Sequence, residues 1–163
     1  MDIKEYLSAL DKRMELFGFK DVNMEEEHGA DRVFYLRKGG HPVFGLVEKF
    51  FFIKYVPDDT SADYVKEFSS KVLLYSKRYN KKPFRLIVPA VFTFPVMVVN
   101  KISAELHDLT QTYHSKHFKA LEFPCVLDLS MGRLFCYEKI PFLGGAYYRG
   151  VSGEVHNLLE PKV

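Results

Sequence analysis

Two acids, Asp31 and Glu48, flank the diglycine Gly39-Gly40 and are the residues with the clearest potential for chemistry. A two-residue glycine turn there pairs Leu36 with Val43, Val33 with Leu46 and Asp31 with Glu48. Carboxylates directly opposed across a ladder stand about 5 Å apart at Cβ and repel each other. Three things can relieve the repulsion: one carboxyl keeps a proton, a lysine intervenes, or a divalent cation such as Mg2+ bridges the oxygens. The plain alternative leaves Asp31 capping a strand and Glu48, with Lys49, at an exposed strand position. Lys49 follows Glu48 directly, so the two-residue period of a strand turns it to the other face unless a bulge rotates it.

Other groups are weaker candidates. Lys77, Arg78, Lys81, Lys82 and Arg85 form the densest basic cluster. They suit phosphate contacts, and equally they suit a helix C-terminus, where cations complement the dipole. His107, His114 and His117 fall on a predicted third helix, but His107 and His114 are two turns apart, ~10.5 Å along the axis, and cannot share an ion. His114 and His117 lack an acid to complete a metal set.

Cys125 and Cys136 have no metal-knuckle spacing and read as buried hydrophobes. A turn at Met131-Gly132 pairs Cys136 with Leu127 and leaves the cysteines diagonal, a poor disulfide geometry. No Cys-His arrangement can be argued from sequence proximity. Residues 141–150 lack the lysine of a phosphate loop and read as a mobile loop, whose Tyr147 and Tyr148 could stack on bases.

These side chains need a scaffold, and composition bounds it. At 163 residues with 47% hydrophobic content the chain can bury one core without disulfides, so residues 1–163 are expected to be a single domain. The net charge of +2 does not by itself announce a nucleic-acid binder, so any basic surface must come from clustering. No secretory signal is visible and no apolar run reaches the ~18 residues of a spanning helix, so the expected address is cytoplasmic, without membrane partners.

Ile3, Tyr6, Leu7, Leu10, Met14 and Phe17 recur at helical spacing, with Asp2 as cap and Gly18 as stop. Residues 20–53 read as two or three antiparallel strands. Thr60 with Asp63 resembles a capping box, and Val65, Phe68, Val72, Tyr75 and Tyr79 mark the second helix. Residues 85–88 and 94–99 read as short strands, the first ended or pushed to an edge by Pro89. Ile102, Leu106, Leu109 and Tyr113 give the third helix; a late hairpin and a short helix over residues 153–159 follow. The fold class is α/β, a central mixed sheet flanked by helices, in the order α-β-β-β-α-β-(β)-α-β-β. The first hairpin is apolar on both faces and should be covered on both sides.

Gly29-Ala30-Asp31 opening a strand, a glycine turn, and Leu46-Val47-Glu48-Lys49 on the partner strand resemble the restriction-endonuclease-like superfamily, particularly Mrr-type enzymes. The resemblance covers roughly residues 1–93, and the order α-β-β-β-α-β matches the superfamily core. It implies that Asp31 and Glu48 hold a metal such as Mg2+ for phosphodiester hydrolysis. A lysine two residues after the glutamate belongs to that pattern. Phe50 stands there instead, with Lys49 one residue early, so the implied function is nucleic-acid binding with weak or lost cleavage. The competing expectation is a non-catalytic interaction module that self-associates as a homo-oligomer.

Overall fold

A computed structural model of the protein describes residues 2–22, 28–42, 44–79, 89–113, 115–117, 120–139 and 145–161. Helix α1 (Ile3–Leu16) begins where the Glu5 carboxylate accepts the Asp2 amide, and buries Tyr6, Leu10 and Met14 at i, i+4 and i+8. It stops at Gly18, whose φ of 82° lets the Gly18 and Phe19 amides turn back onto Glu15 and Met14 carbonyls. Strands β1 (Lys20–Asp21), β2 (Arg32–His41) and β3 (Gly45–Tyr55) follow as an antiparallel meander.

Helix α2 (Ala62–Tyr79) is capped by Ser61, whose Oγ accepts the Tyr64 amide at 3.2 Å. Thr60, expected in that role, donates its hydroxyl to the Pro57 carbonyl instead. Strand β4 (Ala90–Val99) then runs parallel to β3.

The rest comprises α3 (Ala104–Thr112), β5 (Ser115–His117), β6 (Ala120–Glu122), β7 (Cys125–Asp128), β8 (Arg133–Cys136) and α4 (Gly145–Leu159). Among the described residues the strands form one eight-stranded mixed sheet, β1-β2-β3-β4-β6-β5, with β7 and β8 continuing from the second half of β4. One core lies between the sheet and α1 with α4; the other lies under α2 and α3. The expected mixed sheet flanked by helices is therefore present. No helix among the described residues is long and apolar enough to cross a membrane.

Two local expectations are corrected, and a third, the strand over residues 94–99, is borne out and extended. Residues 94–99 are the second half of β4, a wholly buried central strand, while residues 85–88 lie outside the described residues. Pro95 is tolerated mid-sheet because β6 pairs with Val91 to Thr93 and β7 with Val96 to Val99, leaving a break beside it. His117 is in β5 rather than on the third helix, and His114 lies outside the described residues. The final helix starts at Gly145, so Tyr147 and Tyr148 fall in α4 instead of a loop; residues 141–144 are not described.

Asp128 ties α3 to the late hairpin. Its Oδ2 accepts the Ile102 amide at 2.9 Å, and its Oδ1 accepts the Ser130 hydroxyl at 2.6 Å and the Met131 amide at 2.8 Å. Burial pushes this carboxyl up, but the hydrogen bonds from Ser130, Ile102 and Met131 outweigh it and hold it below the usual carboxylate range. A depressed folded pKa contributes stability above the unfolded value of about 3.9 and loses it as pH falls through the folded value. Asp128→Asn should therefore cost about 1–3 kcal/mol at pH 7 and flatten the decline in stability below about pH 4. Urea unfolding across pH checks this; an acid decline as steep in Asp128→Asn as in the parent would refute the assignment.

Candidate nucleic-acid interface

The first hairpin does not turn at its diglycine. Strand β2 runs through Gly39 and Gly40 to His41, which pairs with Gly45 at the start of β3, so the chain reverses between those two residues. Two features specify this turn: Pro42 presets the backbone just after His41, and the His41 ring Nδ1 accepts the Phe44 amide at 3.2 Å. The two glycines sit in an irregular register step between Lys38 and His41, with Gly40 at a φ of 77°.

The partner of Val33 is consequently Phe52, not Leu46, a slide of six residues along β3. An even slide keeps every side chain on its expected face while changing every neighbour. Glu48 faces Arg37, and Asp31 lies past the Arg32–Ile53 pair at the other end of the ladder. The acids expected to oppose each other are thus ~20 Å apart along the strands, and the proposed Mg2+ site between them is not formed.

Each residue has a separate role. Asp31 closes the ladder: its amide donates to the Ile53 carbonyl at 2.8 Å and its Oδ2 accepts the Tyr55 amide at 2.7 Å. Glu48 is buried beneath α2, where its Oε1 accepts the Tyr35 hydroxyl at 3.1 Å and lies 4.0 Å from Arg37 Nε. On the same face Glu122 is buried too, accepting from Ser69 at 2.5 Å and Tyr113 at 3.0 Å. Lys49 points to the opposite face, as period two requires, and pairs with Glu154 of α4 at 2.5 Å. Lys54, the residue after Ile53 at that end of the ladder, donates to the Gly29 carbonyl and lies 5.9 Å from the Phe68 ring centroid.

Of the basic cluster, Lys77 and Arg78 fall within the described residues. Arg78 lies in the last turn of α2 and, with Lys71, Leu74, Tyr75, Tyr79 and His28, lines a cleft of about 400 Å³. Lys71, Tyr75 and Arg78 recur at i, i+4 and i+7, which puts them on one face of the helix. Lys77 occupies the same last turn and is half-buried, while Lys81, Lys82 and Arg85 lie outside the described residues.

The rings are held from below. Tyr79 packs edge-on against Phe50 at 5.4 Å and Tyr35 at 5.3 Å, and Tyr75 against His28 at 5.5 Å. His28 is itself fixed, its Nδ1 accepting the Ala30 amide at 2.9 Å. A smaller cleft of about 150 Å³ shares His28 and Lys71 and extends along α2 to Lys54 and Glu67. The result is a furrow lined by cations and by aromatic rings packed from below.

The late hairpin holds residues that sequence reading left unconnected. Asp128 accepts hydrogen bonds from its own loop, so the turn spans residues 129–132 and Cys136 pairs with Cys125 rather than with Leu127. Helix α4 brings His156 to 3.5 Å from Cys136 Sγ and Glu160 to 3.0 Å from His156 Nδ1. The i, i+4 spacing of His156 and Glu160 was visible, but nothing in sequence placed α4 over β8. The remaining histidine candidate, His107, packs against Phe135 at 5.4 Å.

No family model matches the chain, and comparison with curated proteins and with solved structures likewise gives no match.

Proposed function

We propose that this protein binds nucleic acid through the furrow along α2, on a restriction-endonuclease-like core whose cleavage site is weak or lost. The carrying observation is the cleft in which Lys71 and Arg78 flank Tyr75 and Tyr79. The kinship is supported by the order α1-β1-β2-β3-α2-β4, an antiparallel meander followed by a strand parallel to β3. Loss of cleavage is supported by the register, which parts Asp31 from Glu48 and sends Lys49 to α4.

Stacking on Tyr75 and Tyr79 requires unpaired bases, so single strands should bind more tightly than duplex. Anisotropy of labelled DNA and RNA oligonucleotides against salt tests this. Two phosphate contacts predict a log–log slope of at least about −1.4 for a single strand. A flat salt response, or duplex bound as tightly as single strand, would count against the reading. The same titration with Mn2+ added reports any residual cleavage on a gel.

A second reading has its own observation. Leu16 and Phe17, adjacent at the end of α1, are 85% and 53% exposed, an apolar spot suited to self-association as a homo-oligomer. Sedimentation of the free protein separates the two readings, since a dimer formed there leaves the α2 furrow unused.

A further inference from the structure

The line Cys125–Cys136–His156–Glu160 lies on the α1 and α4 face of the sheet, away from the furrow, and nucleic-acid binding has no use for it. Cys136 belongs to β8, which pairs only with β7 among the described residues. Directly opposed residues of an antiparallel pair have Cα atoms about 4.5–5.5 Å apart, within the disulfide range of about 4.4–6.8 Å. The register Cys125–Cys136 therefore brings the sulfurs within bonding reach without moving the backbone.

Around Cys136 the polar contacts converge from one helix. His156 Nε2 lies 3.5 Å from its sulfur and Ser152 Oγ 3.9 Å, one turn apart on α4. Glu160, a further turn on, accepts from His156 Nδ1 at 3.0 Å and from the Leu134 amide at 3.1 Å, which fixes the imidazole between acid and sulfur. Lys49 anchors α4 through Glu154, and Arg13 of α1 donates to the Leu158 and Glu160 carbonyls at its C-terminus. Tyr6 of α1 donates to the Leu159 carbonyl, Tyr137 packs against the same core, and His41 lies within electrostatic reach of Lys49 and Glu154.

We propose that Cys136 and Cys125 form a peroxide-responsive dithiol, with Cys136 the attacking sulfur, Cys125 the resolving sulfur and His156, oriented by Glu160, the proton donor. The two thiols are unequal in the way this needs. The hydrogen bond from Cys125, together with those from His156 and Ser152, lowers the Cys136 thiol to about 6. Burial raises Cys125, which stays a thiol, and the contact with Cys136 raises His156 to about 9. The shared contact favours thiolate on Cys136 and imidazolium on His156. Both sulfurs are buried while the His156 side chain is 27% exposed, so the imidazole links the pair to solvent.

The chemistry balances with a hydroperoxide as oxidant. The Cys136 thiolate attacks the distal oxygen, the O–O bond breaks, and the departing alkoxide takes the His156 proton, leaving an alcohol (water from hydrogen peroxide) and a sulfenic acid. Cys125 sulfur then attacks Cys136 sulfur; the leaving hydroxide takes up the Cys125 proton and departs as water. Two thiols are oxidised to one disulfide while one peroxide is reduced.

Hydrogen peroxide added to the intact protein tests this by whole-protein mass. The parent should lose two hydrogens, while Cys125→Ala should gain one oxygen on Cys136, trapped by dimedone. His156→Asn should slow oxidation on the order of 100-fold, and its pH profile should move toward that of an ordinary thiol, whereas parent reactivity persists down to about pH 6. A melt of each variant confirms folding. Parent oxidation no faster than in denaturant, or His156→Asn folded yet equally fast, would overturn the proposal.

Discussion

Reversing charge at Lys71 and Arg78 together is expected to weaken single-strand binding on the order of 100-fold at 0.1 M salt and reduce the salt slope by about 1.4. Both side chains line the cleft, and each reversal replaces an attraction to phosphate with a repulsion while leaving the stacking rings in place. The two positions are exposed on α2, so the fold should tolerate the change. Lys4→Glu with Lys12→Glu provides the control, because it alters net charge equally from exposed positions on α1, across the sheet from the furrow. Near-parental affinity in the control and loss in the furrow variant places the contact on α2. Equal losses in the two would show that only net charge mattered, and would discard the furrow.

Phe51→Ala should produce the largest loss of stability, about 3–5 kcal/mol, seen as a shift of roughly 10 °C or more in Tm. Phe51 is wholly buried on β3, a strand paired on both sides. Its ring stacks on Phe94 at a centroid distance of 4.3 Å and meets Phe19 edge-on at 5.4 Å. Truncation empties the centre of the layer joining β3, β4 and the segment after α1, where backbone pairing on both flanks prevents collapse. With total stabilities near 5–15 kcal/mol, such a cavity removes a large share of the margin. A loss below about 1.5 kcal/mol in urea titration would mean that the layer closes over the gap.

The helical elements were readable because their signals are local. Asp2 and Glu5 cap α1, Gly18 ends it, and the apolar spacing of α2 names Val65, Phe68 and Val72 among its buried residues, while Tyr75 and Tyr79 of the same stripe reach the cleft. Which face of the first hairpin each residue occupies was also readable, since period two survives any even slide. The pairing partner was not: Gly39-Gly40 and His41-Pro42 are competing turn signals a few residues apart, and the glycines were absorbed in an irregular step instead. That choice separated Asp31 from Glu48, and with it the site expected to hold a metal.

The sequence by itself determined an α/β chain with helices on both faces of a mixed sheet, because helix caps and alternating apolar residues act over a few residues of chain. Only the tertiary structure decided which acids, sulfurs and imidazoles meet. The Asp128 loop set Cys136 against Cys125, and the docking of α4 onto β8 added His156 and Glu160. Such meetings depend on turn length and helix docking, where an even slide of register replaces one neighbour with another and leaves the apolar faces unchanged.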